Sequence, residues 1–72
     1  MDITYDKEAD AVYIRLKKGV VFKTRPINDL TMVDLDKDND VLGLELLDAS
    51  KRLSKKDVSE VHVKNMVAIA TE

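Results

Sequence analysis

The sequence predicts an α+β fold that is mostly β: a small antiparallel sheet of five or six strands in hairpins, with one short helix near residues 50–60. Three observations predict it. Apolar and polar residues alternate along several short stretches, which is the periodicity of a strand. Clusters of Asp, Asn and Gly, which favour turns, separate these stretches. A capping-box pattern at residues 54–57 then marks the start of a helix.

The first hairpin is predicted from residues 3–5 and 11–16, which flank a turn at residues 6–10. Asp6 and Asp10 bracket that turn, where their carboxylates can accept hydrogen bonds from its free amides. A catalytic carboxylate pair, or a metal-dependent hydrolase using Asp6, Asp10 or Asp34, is the alternative interpretation. The sequence places no base, nucleophile or metal-ligand set beside these acids, which favours the turn.

A third strand is predicted at residues 20–25, after a turn that contains Gly19. Pro26 follows directly. Because proline has no N–H to donate to a neighbouring strand, we expect it either to end this strand or to place it at an edge of the sheet. Residues 27–30 carry the turn-forming Asn28 and lead into the next strand.

The central hairpin is predicted from residues 31–35 and 41–47, which are joined by the acidic turn at residues 36–40. In the second of these strands Leu42, Leu44 and Leu46 share one face, and the other face is mixed. A strand with apolar residues on both faces suits the centre of a sheet better than its edge. We therefore expect residues 41–47 to form a central strand.

The same acids also fit a calcium-binding loop of the EF-hand type. Asp34, Asp36, Asp38 and Glu45 fall on its first, third, fifth and twelfth positions. Two features argue against this alternative. The sixth position, normally glycine, is Asn39, and no helix is predicted before the loop. The hairpin turn is the preferred interpretation, with a divalent-metal module as the alternative.

Helical signals follow residue 48. Asp48 or Ser50 can cap a short helical turn, and the capping box predicts a helix over residues 54–60. The only basic patch in the sequence lies here, and it consists of Lys51, Arg52, Lys55 and Lys56. They predict either a contact with a phosphate or another anion, or a solvated helix face, and the solvated face is the commoner outcome.

The C-terminal tail alternates in strand fashion over residues 61–70, although its Met and Ala residues leave a helix open. His62 is the only histidine, and without cysteine it cannot build an ordinary zinc site.

Composition narrows the class of protein. We expect residues 1–72 to form one domain. No cysteine is present, which fits a cytoplasmic location and leaves the core without disulfides. The net charge of −2 argues against a general nucleic-acid binder, and no apolar run is long enough to span a membrane. No cofactor motif or catalytic constellation is present, so a non-enzymatic protein is expected.

Four stretches of the chain resemble the DUF2283 family of small bacterial and archaeal proteins of unknown function. They are ITYD at 3–6, EADAVYI at 8–14, VDLD at 33–36 and LGLELLDAS at 42–50. The resemblance covers roughly residues 2 to 53 and implies a β-rich fold without known catalytic residues. Family members often carry glycine where this chain has Asn39 or Asp40. Some are encoded beside toxin-like proteins, which implies an antitoxin-like or accessory role.

These observations lead to one functional expectation and one alternative. A short helix cannot cover both faces of a five-stranded sheet, so part of its apolar surface needs another partner. We expect a module that associates with itself or with another protein, as a homodimer with Val63, Val67 or Ile69 near the contact. The alternative is the metal module of residues 34–45.

Overall fold

A computed structural model describes residues 1–64, which form one antiparallel sheet of five strands and two short helices. The elements are β1 (Asp2–Asp6), β2 (Ala11–Arg15), β3 (Lys23–Asn28), β4 (Thr31–Leu35), β5 (Val41–Leu46), α1 (Ala49–Arg52) and α2 (Lys55–Ser59). The predicted fold class is confirmed. Its helical part consists of two short helices instead of one.

The sheet combines a hairpin with a three-stranded meander. The strand order is β1-β2-β5-β4-β3, so β5 lies at the centre, as its sequence predicts. β5 pairs with β2 through Val12↔Leu46 and Ile14↔Leu44, and with β4 on its other side. The chain therefore crosses from β2 to the far edge of the sheet and returns strand by strand to the centre.

β3 begins and ends three residues later than predicted. Residues 20–22 have the β-branched and aromatic composition of a strand, yet all three are exposed. The Phe22 amide donates to the Leu35 carbonyl of β4 at 2.8 Å, and the paired strand begins at the next residue, Lys23.

Pro26 lies inside β3 because an edge strand has one side that needs no partner. The pairing with β4 shifts register between Pro26 and Asn28, and the Asn28 side chain accepts from the Leu30 amide at 2.9 Å.

The acidic turn closes the β4–β5 hairpin, as predicted. The Asn39 amide donates to the Asp36 carbonyl at 3.1 Å, and the Asp36 amide donates to the Asp40 carbonyl at 3.0 Å. Asn39 has a φ of 66°, the left-handed conformation that often follows such a turn in a three-residue hairpin loop. Asparagine adopts it more readily than most residues, which explains how the turn forms without glycine.

Most of the core lies on one face of the sheet, whereas Ala11, which precedes Val12 on β2, lies on the other face. The buried apolar residues of the core are Ala11, Val12, Val33, Leu35, Leu42 and Ala49. Leu42, at 3% exposure, is covered by the loop after β2, where a Cβ added to Gly19 would lie 2.7 Å from its side chain. The helices lie against the β1–β2 end of the face that contains Leu42, because Leu53 and Val58 line one groove with Ile3. The other end has no helix over it within residues 1–64.

The capping box is confirmed at the start of α2. The Ser54 hydroxyl accepts from the Asp57 amide at 3.0 Å, and the Asp57 carboxylate accepts from the Ser54 amide at 2.9 Å. These hydrogen bonds lower the pKa of Asp57. Asp48 precedes α1 with a φ of 53° but makes no side-chain cap. Residues 61–64 form no strand, and the rest of the predicted tail strand, residues 65–70, lies outside the described residues.

Candidate functional site

Two hydrogen-bonded clusters, each built around an aspartate, are the most specific polar features of residues 1–64. The first, here called the Asp34 cluster, consists of Tyr13, Thr24, Asp34 and Gly43. The Tyr13 hydroxyl donates to Asp34 Oδ2 at 2.8 Å, and the Thr24 hydroxyl donates to Asp34 Oδ1 at 2.6 Å. β2, β3 and β4 each contribute one polar side chain, and β5, which lies between β2 and β4, contributes Gly43. The cluster therefore spans four neighbouring strands.

Gly43 makes this cluster possible. Tyr13 lies on β2 and Asp34 on β4, so the tyrosine ring must cross β5, which lies between them. It crosses over Gly43, where an added Cβ would lie only 2.6 Å from Tyr13 Cζ and 2.9 Å from the backbone oxygen of Ile14. A side chain at position 43 would displace the ring, and the glycine is therefore required for space.

In the Asp34 cluster the Asp34 carboxylate acts as a hydrogen-bond acceptor whose two oxygens both have donors. Burial raises the pKa of Tyr13, and the hydrogen bond to Asp34 raises it further. The phenol therefore stays protonated at neutral pH and serves as a donor. Both oxygens of Asp34 are occupied by hydroxyl donors.

The second feature, here called the Asp10 cluster, consists of Tyr5, Asp10, Ala49 and Ser50. Asp10 Oδ1 accepts from the Tyr5 hydroxyl at 2.8 Å and from the Ser50 amide at 3.0 Å. Asp10 Oδ2 accepts from the Ser50 hydroxyl at 2.7 Å, and the Asp10 carbonyl accepts from the Ala49 amide at 2.9 Å. One residue of the β1–β2 turn thus holds the start of α1.

The electrostatics of the Asp10 cluster follow from these bonds. Hydrogen bonds from Ser50 and then from Tyr5 lower the pKa of Asp10, while the hydrogen bond to Asp10 raises the pKa of Tyr5. The other acid of this turn, Asp6, accepts from the amides of Glu8 and Ala9 at 3.0 and 3.1 Å. Both acids therefore organise the turn.

The structure does not bring the four predicted metal ligands together. Asp34 belongs to its own cluster, and Asp36 Oδ1 accepts from the amides of Asp38 and Asp40 at 2.8 and 3.0 Å. These amide bonds lower the pKa of Asp36, the bond from Asp40 most strongly. Glu45 lies on β5. Across residues 1–64 no group of three or more His, Asp or Glu side chains could hold a metal ion. The metal module stays a prediction.

The predicted anion-contact residues divide into two kinds. Arg52 is engaged internally: its guanidinium donates to the carbonyls of Leu30 and Leu47 and to the Thr31 hydroxyl at 2.9 Å. It therefore ties α1 to the turn before β4 and to the end of β5. The lysines at positions 51, 55 and 56 are exposed. The anion contact also stays a prediction, with these three lysines as its available members.

An apolar surface borders the β1 edge of the sheet. It is called here the β1 patch and consists of Ile3, Tyr5, Leu53, Val58 and Val61. Ile3 is 43% exposed, Tyr5 42% and Val61 59%, and the other two are partly covered. The grooves between α2 and the first two strands are lined by these residues.

The predicted interface residues lie beyond this patch. Val63 is 87% exposed, at the end of the described chain. Val67 and Ile69 lie outside the described residues. Their role at a contact stays a prediction.

Both clusters fall inside the part of the sequence that matches a known family. Residues 2–50 match the family described as "Protein of unknown function (DUF2283)". The chain belongs to this family. The match ends at Ser50, so it includes every member of the Asp34 and Asp10 clusters. No curated relative and no solved structure matches the chain.

In this DUF2283 protein the sequence predicts strands that contain Tyr5 and Tyr13 and a helix cap at Ser50, but it does not predict that these residues contact the two aspartates. A usable signal exists for one cluster, since a glycine inside a central strand often marks a close approach by another group. None of the helices within residues 1–64 is long and apolar enough to cross a membrane.

Proposed function

We propose that this DUF2283 protein is a non-enzymatic module that associates with a second copy of itself through the β1 patch. The observation that carries the proposal is the exposure of Ile3, Tyr5 and Val61 on one contiguous surface. Contact with a second copy would remove the exposed parts of these apolar side chains from water, which is favourable.

The free energy gained by burying the exposed side chains must exceed the cost of association, and three side chains on one copy are not enough. Full burial of a Val, Ile or Phe side chain contributes roughly 1.5–3 kcal/mol, and residues already half covered contribute about half of that. Association costs at least about 4 kcal/mol in lost freedom. Burial on both copies is therefore needed, and a symmetric contact supplies each residue twice.

The hydrogen bonding of the two clusters supports a non-enzymatic role. Each aspartate is held by a protonated tyrosine and a hydroxyl, and both raised tyrosine pKa values keep the phenols from acting as bases near neutral pH.

We also propose three properties that the sequence predicts. They are a homodimer with Val63, Val67 or Ile69 near the contact, a cytoplasmic location, and a toxin-like protein as the partner that the family resemblance implies. Co-expression with the product of an adjacent gene, followed by gel filtration, tests that last expectation.

Light scattering coupled to gel filtration tests the self-association. The unmutated chain at high micromolar concentration should have a mass near 16.2 kDa, twice the 8.1 kDa of one chain. Val61→Asp should shift the mass toward one chain, because it places a charge in the patch. Val20→Asp is the matched control, since Val20 is 84% exposed in a loop far along the chain from the patch. A mass of 8.1 kDa for the unmutated chain would exclude the proposal.

A further inference from the structure

The two edges of the sheet differ in their protection against strand addition. β3 carries Pro26, a register shift beside it, and the cations Lys23 and Arg25. Proline, irregular pairing and charged side chains all discourage another strand from pairing with an edge. β3 is therefore protected against pairing with an additional strand.

β1 has no proline and no register shift, and its charged residues, Asp2 and Asp6, lie only at its two ends. Its pairing with β2 runs without interruption from Asp2↔Arg15 to Asp6↔Ala11. All five residues are exposed, and within residues 1–64 β1 pairs only with β2. An exposed, regular edge strand whose apolar residues are half uncovered is a template for another strand.

We infer that β1 pairs antiparallel with β1 of a second copy, so that two five-stranded sheets join into one of ten strands. The inference rests on the proposed self-association and specifies its geometry. A second copy is the favoured occupant because a two-fold axis places the same open edge on both partners. The pairing also joins the two β1 patches, since Ile3 and Tyr5 belong to both the edge and the patch.

Charge selects the register of this pairing. A two-fold axis at Thr4 would place Asp2 opposite Asp6 of the second copy, and like charges directly opposite each other are destabilising. An axis at Ile3 instead places Ile3 opposite Ile3, Asp2 opposite Thr4, and Met1 opposite Tyr5. The apolar residues then form one row across the junction, and no acids face each other. We assign the axis to Ile3.

Single-cysteine variants test this arrangement, because the natural chain contains no cysteine. Ile3→Cys should form a disulfide-linked dimer in a glutathione redox buffer. Ile27→Cys on β3, at 63% exposure, is the matched control at the other edge. The pairing holds the two thiols at a millimolar effective concentration, so Ile3→Cys should oxidise faster than the control by roughly an order of magnitude or more. Thr4→Cys, which lies off the axis, should oxidise more slowly than Ile3→Cys.

A second pair of variants avoids oxidation. Ile3→Lys should convert the dimer to a monomer with an unchanged circular dichroism spectrum, since lysine on an edge opposes pairing. Ile27→Lys should remain dimeric.

The outcomes separate this inference from the proposed function. A dimeric mass in which Ile3→Cys oxidises no faster than Ile27→Cys would overturn the β1 pairing and leave self-association standing. Fast oxidation of Thr4→Cys instead of Ile3→Cys would overturn the register. A monomeric unmutated chain would overturn both. In that case the double variant Ile3→Cys with Val67→Cys identifies what covers β1. A disulfide within one chain would show that the C-terminal residues, and not a second copy, contact the β1 edge.

Discussion

The Asp10 and Asp34 clusters use the same chemistry in two different regions. Each aspartate accepts hydrogen bonds from one tyrosine and one side-chain hydroxyl. The Asp10 cluster is exposed at a turn, and main-chain amides of α1 complete it. The Asp34 cluster uses side chains alone, and its Tyr13–Asp34 hydrogen bond is part-buried whereas its Thr24–Asp34 hydrogen bond is exposed. One cluster attaches a helix to a turn, and the other crosses the sheet and fixes how its strands align.

This difference in exposure determines how much each cluster should contribute to stability. Water competes for the groups of the Asp10 cluster, so losing one hydrogen bond there is partly compensated by solvent. The Tyr13 hydroxyl and Asp34 are partly shielded, and a donor or acceptor left without a partner there costs more. We therefore expect the Asp34 cluster to be the more sensitive of the two to substitution.

Gly43→Ala should have the largest effect. Its Cβ would press on both the Tyr13 ring and the Ile14 backbone oxygen, and overpacking of this kind costs about 1–3 kcal/mol. Gly19→Ala is the control, because its nearest neighbours are all atoms of the Leu42 side chain, which can move. Urea denaturation of both variants measures the difference in the free energy of unfolding. Equal losses would show that the tyrosine crossing is not the constraint at Gly43.

Tyr13→Phe should have the next largest effect, a loss of about 1 kcal/mol, because it removes one donor from the part-buried Asp34. Tyr5→Phe makes the matched change in the exposed Asp10 cluster and should cost less. Thermal melting followed by circular dichroism compares the two. A larger loss for Tyr5→Phe would reverse the ranking of the clusters.

The central strand and its turn were predictable because their signals are local. Apolar residues on both faces of residues 41–47 marked β5 as central, and the capping box located α2. The bounds of β3 were wrong because residues 20–22 have strand propensity, whereas the residues that pair with β4 begin at Lys23. The two clusters depend on register, which places Arg15 opposite Gly43 and so lets the tyrosine cross β5. A shift of one residue in the pairing of two strands would move every side chain of the shifted strand to the opposite face of the sheet, and amino-acid composition alone does not determine the register.

Acid should weaken the Asp10 cluster. The pKa of Asp10 is lowered from its ordinary value of 3.8, so its carboxylate stabilises the fold above that pH. This contribution is lost as the pH falls through the lowered folded-state pKa, where Asp10 takes up a proton. Asp10→Asn should therefore melt below the unmutated protein near neutral pH, and this gap should narrow below about pH 3.8. Melting curves from about pH 6 to about pH 2 test this. A gap that stays constant would exclude the carboxylate charge as its cause.

Calcium or magnesium should have the smallest effect. At millimolar concentration we expect almost no change in the melting temperature, because Asp34 and Asp36 already accept internal hydrogen bonds. A ligand at 100 times its dissociation constant would add about 2.7 kcal/mol, or roughly 10 °C in a domain of this size. Such a rise, lost on combining Asp36→Asn with Glu45→Gln, would favour the metal module instead.

The left-handed turn residues also affect the unfolded chain. Within residues 1–64 the non-glycine residues with positive φ are Asp10, Asn39 and Asp48, and neither glycine has a positive φ. Aspartate and asparagine leave a denatured chain fewer backbone conformations than glycine would. Each of these turns therefore loses less conformational entropy on folding than a glycine turn would, although the left-handed conformation strains the native backbone. In a chain with so small a core, part of the stability then comes from a more restricted denatured ensemble.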